Sequence, residues 1–121
     1  MPTDKGYEIM TSQTTLIFTD ANFDDEVLRS DIPVLVDVWA EGCSGCRKLA
    51  PAIDTIASEY SGRAKVGKLD ARLNFNTALR YSVRVLPTLL FFKGGNVLSQ
   101  RTGVIDKAEL QELLDSCLIR E

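Results

Sequence analysis

The sequence contains no histidine. That absence removes the side chain most used as a general base near neutral pH, the commonest metal ligand, and with them every Cys–His or Ser–His arrangement. Long apolar runs are missing too, none approaching the roughly 20 residues of a membrane span. Lysine and arginine are not clustered and the formal net charge is -3, which leaves no basic face for nucleic acid. Cysteine is scarce and odd in number, at three residues, which argues against a secreted disulfide framework. The start, Met1 to Gln13, lacks the basic-then-apolar order of a secretory signal, so the expected compartment is the cytoplasm. No repeat or low-complexity stretch interrupts the chain.

What remains is ordinary in balance. A chain of 121 residues, 45% hydrophobic and 26% charged, fits one domain that buries a core without staples. Residues 1–13 show no periodicity and read as a flexible tail; residues 14–121 read as a single domain. Thr14 to Thr19 suggests a short strand. Asp20 to Ser30 suggests a helix, with Phe23, Val27 and Leu28 on one face and Thr19 or Asp20 as its cap. Val34 to Trp39 is a nearly continuous β-branched and apolar run, as expected of a strand covered on both faces. Cys46 to Tyr60 reads as a helix that Pro51 should kink or whose hydrogen bonds it should interrupt. Ala64 to Asp70 and Asn74 to Tyr81 read as strand and helix. The spacing predicts a right-handed βαβ crossover with parallel strands. Thr88 to Phe92 and Val97 to Arg101, joined at Gly94-Gly95, read as a hairpin, and Asp106 to Leu118 as a closing amphipathic helix. The class is α/β, a parallel half followed by an antiparallel half, with helices on both faces.

Chemistry concentrates in Cys43-Ser44-Gly45-Cys46, at the junction of the buried strand and the helix after it. Two intervening residues let the sulfurs meet. Cys43 falls at or near the helix N-terminus, where unpaired N–H groups and the helix dipole favour a thiolate. Cys46, one turn further in, should be more buried and keep its proton. Cys43 is therefore the expected nucleophile toward a substrate disulfide and Cys46 the resolving thiol. Arg47 and Lys48 add positive potential nearby. The competing interpretation is half of a zinc site. Zinc takes four ligands, and one other cysteine with no histidine does not complete a monomeric site from the usual donors.

These residues resemble the thioredoxin family over roughly Leu16 to Leu118. The matching segments are VLVDVWAEGCSGCRKLAPAIDTIASEY, VGKLDARLN and YSVRVLPTLLFFKGGNV. The resemblance implies the thioredoxin fold, a central mixed five-stranded sheet flanked by four helices. It implies a cis Leu86-Pro87 bond beside the dithiol that helps bind substrate backbone. Asp37 matches a buried acid that assists proton transfer at the second cysteine; its alternative is an ion pair with Lys68, which matches the family's buried lysine. Trp39 matches a tryptophan packed against the active-site loop, with plain core packing as its alternative. Thr102, Gly103 and Val104 match the rim of a shallow substrate groove, though Gly103 has a simple backbone bend as its alternative. Pro51 matches a structural helix proline.

The resemblance fails at the loop itself, where the family's Trp-Cys-Gly-Pro-Cys is replaced by Gly42-Cys43-Ser44-Gly45-Cys46. Gly42 removes an aromatic from the substrate-facing side. Gly45 frees backbone that proline restricts, and Ser44 adds a hydroxyl near the thiolate. The expected consequence is a reduction potential less reducing than that of an ordinary thioredoxin, and altered partners. The expected function is protein thiol–disulfide exchange, as a reductase, with no cofactor and no resident metal. Its electrons would come from a reductase of the thioredoxin reductase type or from glutathione, and the chain would act as a monomer away from membranes and nucleic acid. The alternatives are a dimer pooling Cys43 and Cys46 around a metal or iron–sulfur cluster, and a redox-weak binding module. Cys117, on the apolar stripe of the last helix, reads as a buried small hydrophobe rather than a regulatory thiol.

Overall fold

A computed structural model describes residues 14–119, so the tail expected over residues 1–13 lies outside the described residues. The strands are β1 (Leu16–Phe18), β2 (Val34–Trp39), β3 (Lys65–Asp70), β4 (Thr88–Lys93) and β5 (Asn96–Thr102). The helices are a π-helix (Asp24–Leu28), α1 (Ser44–Glu59), α2 (Phe75–Arg80) and α3 (Lys107–Ile119). One five-stranded sheet has the order β1-β3-β2-β4-β5. β3 is parallel to both β1 and β2, and β4 is antiparallel to β2 and β5, which is the expected mixed sheet.

β2 lies in the middle because its residues can be buried on both faces. Residues Val34 to Val38 are all buried, and the core divides across them. Period-2 alternation sends Val34, Val36 and Val38 to one face, where they meet Phe18, Phe23, Val27, Leu69, Ala78, Leu90 and Phe92. Leu35 faces the other way, against Leu49, Ile53 and Ile56 of α1 and Leu110, Leu114 and Cys117 of α3. Asp37 shares that second face by the same alternation. Cys117 is only 2% exposed, in keeping with its place on the apolar stripe.

One local expectation changes. The segment after β1 is not a full α-helix over Asp20 to Ser30. Thr19 and Asn22 exchange backbone-to-side-chain hydrogen bonds of 3.0 and 2.7 Å, and the helical part is only the π-turn, closed by Arg29 N–H donating to the Asp24 carbonyl. Helical stability in proteins comes mainly from packing of an apolar face, and this segment offers little beyond Phe23, Val27 and Leu28. Asp20 does not cap that segment. Its carboxylate accepts the Thr77 hydroxyl at 2.6 Å and the Thr77 N–H at 2.9 Å, tying the end of β1 to α2. Those bonds, the Thr77 hydroxyl first, hold its pKa below the ordinary value. At Pro51, α1 runs on as one element, with its hydrogen-bond ladder interrupted as expected. Proline lacks an N–H, so the Arg47 carbonyl loses its usual intrahelical donor, but burial of Leu49, Ile53 and Ile56 holds the remaining turns against the sheet.

β1 approaches β3 closely because the paired position is Gly67. A methyl group there would stand 2.5 Å from Phe18 Cε2 and 2.8 Å from the Leu16 carbonyl oxygen. Gly67→Ala is expected to destabilise the protein by about 1–3 kcal/mol despite alanine's lower backbone entropy, because backbone as well as ring must shift. Urea unfolding measures this; unchanged or increased stability would refute the close-approach argument.

Candidate active site

The site forms where β2 and β3 end together. Ala71 N–H donates to the Trp39 carbonyl at 2.8 Å, so the chain leaving β3 stays beside the chain leaving β2. From Ala40 the backbone turns, and Cys43 N–H donates back to the Ala40 carbonyl at 3.3 Å. Gly42 is the third residue of that turn, with φ +88°, a value that L side chains rarely adopt. Cys43 is then the N-cap of α1. Its Sγ accepts the Cys46 N–H at 3.1 Å, and its carbonyl accepts the Arg47 N–H at 3.2 Å. A sulfur placed this way faces the positive end of the helix and one of its unpaired donors.

Cys43 and Cys46 are joined in a disulfide with their Cα atoms 5.2 Å apart. Cys43 is half-buried, whereas Cys46 is 5% exposed, in the asymmetry expected from their order on the helix. The dithiol loop meets two other segments. A methyl group at Gly45 would lie 3.2 Å from Pro87 Cδ and 3.4 Å from Val104 Cγ2. The Leu86-Pro87 bond is cis, and the Pro87 carbonyl accepts the Gly103 N–H at 2.8 Å. Gly103 has φ +85°, so it is both a bend and the donor that fixes the rim to Pro87. Thr102, opposite Thr88 at the end of β5, and Val104 are exposed beside it. Leu86 is half-buried and packs toward the core, and Ser44 is exposed.

On the α1 face of the sheet sit Asp37, Trp39 and Lys68. Asp37 is 0% exposed, and among the described residues neither carboxylate oxygen has a hydrogen-bond partner. Burial pushes its pKa up to about 7; the Lys68 charge opposes this and the Asp54 charge adds to it. Asp37 and Lys68 are paired in register across β2 and β3. They do not form the close ion pair weighed as the alternative: the Lys68 ammonium lies 5.3 Å from the centroid of the half-buried Trp39 ring, in a cation–π contact. Lys68 is itself only half-buried. Sequence reading missed Asp54. Its signal was faint, an acid on the shoulder of the α1 apolar stripe beside Ile53; here it accepts the Thr15 hydroxyl at 2.7 Å.

A mixed sheet that brings a helix-capping cysteine, a buried second cysteine and a cis-proline at the start of an antiparallel strand to one point defines a thiol–disulfide oxidoreductase. The chain matches the thioredoxin family over residues 14–116 and belongs to it. It is 46% identical to a thioredoxin of Pseudomonas aeruginosa over 98 residues, covering 81% of this chain and 91% of that protein. It is 44% identical to a thioredoxin of Allochromatium vinosum over 105 residues, covering 87% and 98% respectively. A thioredoxin of Buchnera aphidicola subsp. Schizaphis graminum is 50% identical over 97 residues, covering 80% and 90%. Membership brings protein disulfides as substrates and a reductase as the general electron source. The metal- or cluster-sharing dimer is not favoured, because the two sulfurs bond to each other within one chain. Among the described residues no helix is long and apolar enough to cross a membrane.

Asp37 has a measurable signature in the oxidised protein. Below about pH 4 its carboxyl is protonated in folded and unfolded chains alike. Between that pH and about 7 the unfolded chain ionises while the folded one holds its proton, so stability falls as pH rises. Asp37→Asn removes this dependence. Urea unfolding should show the variant gaining on wild type from pH 4 to 7, with a plateau on the order of a few kcal/mol above that. A gap that does not change with pH would contradict a buried, unpartnered acid.

Proposed function

We propose that this thioredoxin-family protein works as a reductase of protein disulfides, with residues 14–121 as one redox domain. Cys43 is the nucleophile, Cys46 the resolving thiol, and Asp37 the proton acceptor for Cys46. Lys68 tunes Asp37 through its charge. The observation that carries the reading is Cys43 Sγ at the N-cap of α1, accepting the Cys46 N–H while Cys46 itself is buried. The Cys43 thiolate attacks one sulfur of a substrate disulfide, forms a mixed disulfide and releases the other sulfur as a thiolate. Asp37, with a pKa near 7, accepts the Cys46 proton. The Cys46 thiolate attacks Cys43 Sγ, releases the second substrate thiolate and closes the Cys43–Cys46 disulfide. Two electrons have then passed to the substrate.

Substrate backbone lies across the groove edged by Gly42, Ser44 and Gly45 on one side and by Leu86, Pro87, Thr102, Gly103 and Val104 on the other. Trp39 supports the loop from below. Electrons return from a reductase of the thioredoxin reductase type or from glutathione, and the chain acts as a cytoplasmic monomer. Without proline between the cysteines, thiolate stabilisation by the helix N-terminus and the Ser44 hydroxyl favours the dithiol.

Insulin reduction with dithiothreitol tests the activity. Wild type should accelerate precipitation, Cys43→Ser should abolish the effect, and Cys46→Ser should accumulate a mixed disulfide through Cys43; an inactive wild type would overturn the reading. Equilibration with glutathione tests the loop. The potential should lie above the roughly −270 mV of thioredoxin, and Gly45→Pro should lower it. A wild-type value at or below that figure would refute the role given to the loop.

A further inference from the structure

The turn after β3 and the outer face of α2 expose Leu73 at 80%, Phe75 at 63% and Leu79 at 63%. These are not poorly packed core residues. α2 already buries its inner side through Thr77 and Ala78, and it is anchored by Asp20 on Thr77 and by Asp20 N–H on the Asn74 side chain. Phe75 and Leu79 lie one turn apart, with Leu73 in the turn leading in, so three large apolar side chains are exposed close together, and an apolar patch rimmed by charged residues is characteristic of interaction surfaces.

The charged side chains bordering this strip are mostly positive; the acids beside it are Asp70, whose carboxylate accepts the Arg72 and Leu73 N–H groups at 2.9 and 3.4 Å, and Asp24. Between Ala71 and Pro87 the sequence holds Arg72, Arg80 and Arg84 and no acidic residue, in a chain whose net charge is -3. All three arginines are exposed. Arg80 meets Asp24 at 3.5 Å, but both side chains are more than half exposed, so that pair neutralises little. The strip also begins at the reactive end of the sheet, because the turn that carries Leu73 starts where Ala71 is bonded to Trp39.

We propose that Leu73, Phe75 and Leu79, bordered by Arg72, Arg80 and Arg84, form a docking surface for disulfide-bearing protein partners that present an apolar strip edged with carboxylates. The inference deepens the disulfide-exchange reading and rests on it for the partner's disulfide. Docking there holds the partner beside Cys43, so the benefit appears in substrate binding and leaves the exchange step itself unaltered. A second copy of this chain is a poor occupant, since it would bring the same positive border.

The test uses two cysteine-free amphipathic helical peptides with the same Leu/Phe stripe, one edged with Glu and one with Lys. Each is titrated into the oxidised full-length protein. Each is also fused to one common disulfide-closed loop and offered to the reduced protein. The Glu-edged peptide should bind about tenfold more tightly, and its fusion should show a KM about tenfold lower with kcat unchanged. Both advantages should shrink as ionic strength rises. The variant Leu73→Ser/Phe75→Ser/Leu79→Ser should lose both, and Arg72→Glu/Arg84→Glu should reverse the preference. Both variants should reduce a small aromatic disulfide at the wild-type rate. Equal binding of the two peptides, or a preference that survives the triple substitution, overturns the docking surface. Wild-type self-association that the triple substitution abolishes also overturns it, by making a second copy the occupant. Because the titration involves no thiol chemistry, a protein that binds the Glu-edged peptide yet reduces no disulfide supports the surface and overturns only the exchange reading.

Discussion

Burial of β2 on both faces is the constraint from which the site follows. A strand packed on one side by Phe18, Val27 and Phe92 and on the other by Leu49, Ile53 and Leu110 has no freedom of register. A slip of one residue would exchange Asp37 with Val36 or Val38 and place its carboxyl against the aromatic side of the core. With the register fixed, Asp37 faces α1, β2 ends beside β3, and the turn from Ala40 begins α1 at Cys43. Cys43 thus owes its position at a helix N-terminus to the packing of a strand it does not belong to.

That same burial makes Asp37 expensive. A carboxyl with no hydrogen-bond partner inside a core is normally selected against, and here the nearest compensating charge, Lys68, is turned to the Trp39 ring. A closer ion pair would stabilise the fold and pull the Asp37 pKa down, leaving a weaker base. Holding Lys68 off keeps the acid near neutrality, where it can take and return a proton. In the proposed exchange reaction, stability is given up at the acid that would accept the Cys46 proton.

Much of this was legible in the sequence, for identifiable reasons. The β2 run, the βαβ spacing and the C-x-x-C at a strand–helix junction are local patterns with few structural solutions. The cis Leu86-Pro87 bond came from the resemblance and not from residue chemistry, because an X-Pro dipeptide alone does not choose its isomer. The segment at Asp20 to Ser30 was misread because Asp20 bonds to Thr77, 57 residues away, and long-range partners leave no periodic trace. Gly67 carried no signal either. Its necessity lies in how near Phe18 comes from a neighbouring strand. Leu73, Phe75 and Leu79 look in sequence like ordinary apolar positions, and only the packing of α2 by its opposite side shows them to be unburied.

The altered loop and the exposed strip bear on one another. Gly42 is not a simple truncation of the family's aromatic. Its φ of +88° closes the Ala40–Cys43 turn, so a large side chain restored there would meet open space but a strained backbone. The turn is therefore built around glycine, and apolar contact next to the first cysteine has been surrendered in the backbone as well as in the side chain. A thiolate that must find a protein disulfide still needs apolar surface nearby to hold its substrate through two exchange steps. Beyond the Leu86, Pro87 and Val104 edge of the groove, a further surface that offers it is the strip on α2, with arginines at its border. Recognition arranged in this way separates the reacting sulfur from the surface that selects its partner. The loop is then free to set the potential while α2 sets the partner range.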